Sequence, residues 1–122
     1  MTQKHEITNL FEKWNQALQT GDPENVANLY LKDAILLPTV SNQVRHNHSE
    51  IIDYFVHFLK KKPFGTINES NIRIFNDIAI NSGVYTFTLN KDLSVKARFT
   101  FVYKKIEEIW KILEHHSSKM PE

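Results

Sequence analysis

An α+β domain, helices first and an antiparallel sheet after them, is what this sequence predicts, and two observations carry the expectation. Apolar residues recur at helical spacing up to about residue 63, and beyond it the period changes from 3.6 to 2. Helices that precede a run of hairpin-connected strands pack together on one face of the sheet. At 122 residues the chain suits one domain with one core.

The elements follow in order. Ile7, Leu10, Phe11, Trp14 and Leu18 form the apolar stripe of an amphipathic helix over 3–19, which Gly21 ends. Asp22-Pro23-Glu24 restarts a short helix, with Asp as N-cap, Pro at the first helical position and an acid in the first turn. It carries Val26, Leu29 and Tyr30 and gives way near Lys32. Ala34 to Leu37 reads as a strand stopped by Pro38, and Pro38 to His48 as an irregular loop. Asn47 to Glu50 has the spacing of a capping box. Ile51, Phe55, Phe58 and Leu59 then make the stripe of a third helix, closed by Pro63 and Gly65. Four strand-like runs follow at about 66–76, 79–90, 94–104 and 107–116. Asn76-Asp77, Asn90-Lys91-Asp92 and a charged turn from Lys104 to Glu108 separate them. Trp14, Phe55 and Phe58 are expected between helices and sheet.

Composition excludes several function classes. There is no cysteine, hence no disulfide, thiolate metal site or Cys nucleophile. A net charge of +1 argues against a general nucleic-acid binder. Lys60-Lys61-Lys62 falls where a helix should end, and cations there complement its dipole. Neither an apolar leader nor a stretch of membrane-spanning length is present, so the expected setting is cytoplasmic, without membrane partners.

Three segments carry a family resemblance. Leu36-Leu37-Pro38-Thr39-Val40-Ser41-Asn42 with Arg45, Ser82-Gly83-Val84-Tyr85-Thr86-Phe87, and Ala97 to Tyr103 followed by Trp110 and His115-His116-Ser117-Ser118 are the residues concerned. Together they resemble the bacterial relatives of the calcium/calmodulin-dependent protein kinase II association domain (SgcJ/EcaC-like), within the nuclear transport factor 2-like, or SnoaL-like, superfamily. The resemblance implies a strongly curved sheet wrapped around a long helix, leaving a conical pocket. It also implies an oligomeric domain, and, with no kinase domain in this chain, no kinase activity. That superfamily includes ketosteroid isomerases, whose general base is a carboxylate on the first strand just before a proline. Here Leu37 holds that position and cannot accept a proton. The kinase association domain places arginines in its pocket; at two of those places this sequence has Thr86 and Ser117.

Candidate chemistry is sparse. Asp33 and Asp53 read as solvated surface acids. Glu114, inside an apolar strand beside His115 and His116, is a weak candidate acid or base, and His116 a weak candidate proton shuttle. His46-x-His48 lies in a loop, and neighbouring strand residues such as His115 and His116 face opposite ways, so no metal site is expected. Nothing implies a cofactor: glycine-rich phosphate loops and nucleophile elbows are both lacking. Three arginines stand among fifteen basic side chains. Arg98, in mid-strand among aromatics, is a costly place for a permanent charge unless it meets an anion or water. Arg98, Arg45, Thr86, Thr100 and His116 are therefore the expected ligand-binding set.

Strand parity groups Tyr85, Phe87 and Leu89 with Phe99, Phe101 and Tyr103 on one face, and Thr86, Arg98 and Thr100 on the other. Two arrangements fit. Either the aromatic face is the core and the mixed face is wet, or the mixed face lines a polar pocket and the aromatic face is a subunit interface. The related family's assembly through its sheets favours the second. The leading expectation is thus a small-molecule-binding domain, at least a homodimer through Tyr85, Phe87, Phe99, Phe101 and Tyr103, with a pocket for a small anionic or carboxylate-bearing ligand. A cofactor-independent isomerase, cyclase or dehydratase acting on a small hydrophobic substrate, or a structural hub, are the alternatives.

Overall fold

The computed structural model describes residues 3–39 and 41–121; Val40, inside the expected loop, lies outside the described residues. Helix α1 spans Gln3–Gln19 and buries Ile7, Phe11, Trp14 and Leu18, the stripe the sequence predicts. Gly21 stops it at φ 72°, a left-handed conformation that a Cβ disfavours. The Asp22 side chain accepts from the Glu24 amide and opens α2, Pro23–Ala27. At the start of α3, His48–Phe58, Asn47 accepts from the Glu50 amide at 3.0 Å. Glu50 does not reach back to Asn47 as a full capping box would; its carboxylate accepts from the His46 amide and pairs with the His46 ring instead.

Five strands follow the expected order: β1 Tyr30–Leu37, β2 Phe64–Phe75, β3 Ile78–Leu89, β4 Leu93–Ile106 and β5 Ile109–Lys119. They form one sheet ordered β1-β5-β4-β3-β2. The last four make the expected antiparallel meander. The first does not fit that expectation. β1 runs parallel to β5, pairing Leu36 with His115. It also starts at Tyr30, where the sequence suggested continuing helix. Tyr30 is paired with Ile112, and the Ile112 amide donates to the Leu29 carbonyl, so the free edge of β5 draws this segment into the sheet. β5 in turn runs three residues past its expected end.

Bulges bend the sheet. Pairing shifts between Ile67 and Glu69 on β2, and between Val102 and Tyr103 opposite β5. Each inserts a residue and increases the local twist. The concave side wraps α1 and α3. Trp14 lies edge-on to Phe101 at 5.4 Å and Phe58 edge-on to Phe87 at 5.6 Å, while Phe55 packs on Tyr30, so all three expected residues do lie between helix and sheet.

This wrapping decides the question of faces against the expected choice. Tyr85, Phe87, Phe99, Phe101 and Tyr103 are all buried within the one chain, Phe101 to 0 % exposure. They are the core, packed on Phe11 and Trp14, so these five residues form no outer patch for a partner. The physical reason is supply: α1 and α3 present their own aromatic stripes, and the sheet face that matches them in apolar surface goes inward. Among the described residues no helix is long and apolar enough to cross a membrane.

Candidate functional site

A narrow cleft with a cavity volume of about 50 Å³ lies between α3, the end of β1 and the concave face of the sheet. Its walls are apolar. Tyr54, Phe55 and Phe58 come from α3, Leu36 from β1, Phe87 and Leu89 from β3, and Val95 and Ala97 from β4. These residues are there because α3 turns its stripe inward and because strand parity delivers every second residue of β3 and β4 to the concave side. Lys61, exposed on the 3₁₀ turn after α3, is the charged member of the lining.

One end of the cleft is polar. Tyr85, His115, Ser117 and Thr39 line it, with Trp14 beside them. The Trp14 indole N–H donates to the Tyr30 hydroxyl at 3.2 Å, and that hydroxyl lies 2.8 Å from His115 Nδ1. His115 Nε2 is 3.2 Å from the Tyr85 hydroxyl, which donates to Ser117 Oγ at 2.7 Å; Thr39 meets Ser117 Oγ at 2.5 Å. The His115 ring stacks on Phe101 at 4.0 Å and meets Trp14 edge-on. Burial pushes the His115 imidazole down to about 3, helped by the neighbouring His116, so the ring is neutral. Burial likewise pushes Tyr30 well up and Tyr85 up, so both phenols keep their protons. The end of the cleft is therefore polar but uncharged.

The residues expected to bind a ligand are elsewhere. Arg98, Thr86, Thr100 and His116 sit on the convex face of the sheet, opposite the cleft. Arg98 and His116 are exposed, paired across strands with Ser118 and Thr100. Exposure on this face relieves a strand arginine without an anion in a pocket. Thr86 has a structural partner instead, donating to the Asn68 side chain at the β2 bulge at 2.7 Å. Arg45 is buried, but its guanidinium lies over the Tyr54 ring at 5.5 Å and donates to Ser41 Oγ and the Gln43 carbonyl. It braces the cleft wall from behind. Glu114 is exposed on the convex face, opposite Val102. His46 is paired with Glu50, and His48 donates to the Tyr30 carbonyl.

The cleft takes His115, not the His116 that the sequence reading put forward, together with Tyr85 and Ser117, and Tyr30 stands behind His115. A signal was present. His115 and Ser117 share a parity, as do Tyr85 and the phenylalanines. Only the choice of inner face was needed to bring them together.

Comparison with known proteins then places the chain. No curated protein matches it. Among solved structures, a Xanthomonas campestris protein assigned to the calcium/calmodulin dependent protein kinase II association domain is 49% identical, with a TM-score of 0.96 over 100% of this chain and 91% of that one. An NTF2-like protein of unknown function from Pseudomonas putida shares the fold at a TM-score of 0.82 and 17% identity, covering 93% of this chain and 84% of its own. A Parabacteroides distasonis protein provisionally named a ketosteroid isomerase does so at 0.77 and 19%, covering 94% and 86%. The model of one family, the calcium/calmodulin dependent protein kinase II association domain, matches residues 3–121, and the chain belongs to that family.

Proposed function

We propose that this is a small-molecule-binding domain, whose ligand is compact, largely apolar and uncharged where it meets the end of the cleft. One observation carries this reading: an apolar concave cleft with a single cluster of fixed neutral polar groups at one end, the usual make-up of a small-molecule site. The carboxylate ligand suggested by the arginines gives way, since none of the three arginines lines the cleft. Binding is favoured over isomerase or dehydratase chemistry for a related reason. Among the described lining residues there is no carboxylate, and the buried imidazole has both ring nitrogens engaged, leaving no evident general base.

Thermal shift with ethylbenzene-sized apolar compounds and with benzoate tests the reading. The apolar compounds are expected to raise the melting temperature and benzoate to leave it unchanged. Val95→Trp, which fills the cleft wall, should weaken binding at least tenfold, while Arg98→Ala should not alter it. Benzoate binding that is lost in Arg98→Ala would reverse the assignment.

Self-association is part of the proposal, now on the convex face. Three cross-strand rows run there: Ile35-Glu114-Val102-Ile80, Leu37-His116-Thr100-Ser82, and Ser118-Arg98-Val84. The half-buried Ile35, Leu37, Ile80, Val84 and Val102 form its apolar part, with Arg98 and Glu114 supplying opposite charges at separate points. A two-fold axis would set each charge against its opposite. Light scattering at tens of micromolar is expected to give at least a dimer, which Val102→Glu should dissociate. A monomeric wild type would end the proposal, and a dimer indifferent to Val102→Glu would end this choice of face.

A further inference from the structure

The hydrogen bonds at the end of the cleft have a direction, and that direction selects the ligand. An indole N–H can only donate, so the Tyr30 oxygen accepts from Trp14. Tyr30 is 0 % exposed, and its own proton must go to a buried acceptor. His115 Nδ1, 2.8 Å away, is that acceptor. Were Nδ1 to carry the proton instead, Tyr30 would accept twice and leave its own hydroxyl hydrogen orphaned in a sealed site.

With Nδ1 accepting, the neutral ring carries its hydrogen on Nε2 and donates to the Tyr85 oxygen. Tyr85 then donates to Ser117 Oγ. Ser117 and Thr39 share one further hydrogen bond between them. Two hydroxyl protons thus enter a contact that uses only one. Whichever of the two donates to the other, one O–H is left over, and both residues line the cleft.

From this chain we infer that the cleft presents a hydrogen-bond donor and selects ligands carrying a carbonyl-type acceptor oxygen, a ketone, aldehyde or ester, over isosteres that lack one. The inference rests on the cleft-binding reading above and narrows it from an apolar molecule to an apolar carbonyl compound. Trp14 can only donate, so it cannot take the Tyr30 proton, and the relay runs from Tyr30 toward Ser117.

The test uses four probes of matched size: acetophenone, ethylbenzene, 1-phenylethanol and 1-phenylethylammonium, titrated by calorimetry into wild type and into Ser117→Ala/Thr39→Val. In wild type, acetophenone should bind at least tenfold more tightly than ethylbenzene, and the ammonium should not bind. 1-Phenylethanol, which can also accept, should fall between. The double variant should bind acetophenone no more tightly than it binds ethylbenzene. Ethylbenzene binding with no preference for acetophenone overturns the donor inference while leaving the cleft reading intact; no binding by any probe overturns both. Nitrogen NMR of the His115 ring is an independent measurement that needs no ligand. The expected tautomer has the hydrogen on Nε2. A hydrogen on Nδ1 in the wild type would break the chain at its second link.

Discussion

Gly83→Ala is expected to destabilise the protein by about 3 kcal/mol or more, the upper range for forcing an atom into a packed interior. Gly83 sits on β3 between Ser70 of β2 and Phe99 of β4. A Cβ built on it would lie 1.9 Å from the Glu69 carbonyl oxygen and 2.7 Å from its carbon. Both atoms are backbone, held in the β2–β3 ladder next to the Asn68 bulge, so neither can swing aside as a side chain would. Relief requires the bulge itself to move, and the bulge helps set the curvature that closes the sheet on α1. Gly65 provides the contrast. Its added Cβ would meet Phe11 Cζ at 3.1 Å and Phe87 Cε1 at 3.2 Å, both side-chain atoms. Gly65→Ala should therefore cost clearly less. At roughly 4 °C per kcal/mol for a domain of this size, Gly83→Ala should lower the melting temperature by more than about 10 °C. Equal melting temperatures for the two variants would show that the β2 backbone yields at the bulge.

The second large effect is acid lability through His115. Burial holds its folded-state value near 3 against about 6.5 in the unfolded chain. The folded state therefore excludes a proton that the unfolded state binds between those values. Stability from this residue is fully present above about pH 6.5 and falls as pH drops toward about 3. One proton taken up on unfolding corresponds to about 1.4 kcal/mol per pH unit, so roughly 2–3 kcal/mol should be lost between pH 6 and 4. The titratable groups facing the ring, Tyr30 and Tyr85, stay neutral throughout this range because burial raises both. His115→Gln removes the titration. Denaturant unfolding should find His115→Gln less stable than wild type at pH 7, with the gap closing as the pH falls. Glu50, held low by its hydrogen bonds to His46, also loses stabilisation in acid, but it is present in both proteins and cancels. Parallel stability curves for the two proteins from pH 7 to 4 would show that the His115 ring is charged or hydrated in the folded state.

Much of this architecture was legible in the residues because it rests on local chemistry. The Ile7-Phe11-Trp14-Leu18 stripe, the Asp22 and Asn47 caps and the turn at Asn90-Lys91-Asp92 each depend on a few neighbouring residues, and each is where the sequence places it. The parallel pairing of β1 with β5 was not legible. It joins Tyr30 to Ile112 across more than eighty residues, and no local signal reports which sheet edge stands free. The binding set failed for a different reason. Arg98 was correctly read as a charge needing relief, but an anion and water relieve it equally, and only the exposure of its face tells them apart.

By itself the sequence determined the class of the fold, the order of its elements, the two faces of each strand and the family to which the chain belongs. Period, caps and parity are properties of residues a few positions apart, so they survive without knowledge of the tertiary structure. Which face turns inward was decided only when α1 and α3 closed on the sheet, because that choice compares two whole surfaces competing for the same helices. The outcome moved the aromatics from a supposed interface to the core and Arg98 from a supposed pocket to the exposed convex face. It also drew Tyr30, Tyr85, His115 and Ser117, from three different strands, into one buried relay. Burial then made the relay neutral, which is why the proposed ligand meets that end of the cleft with an uncharged group.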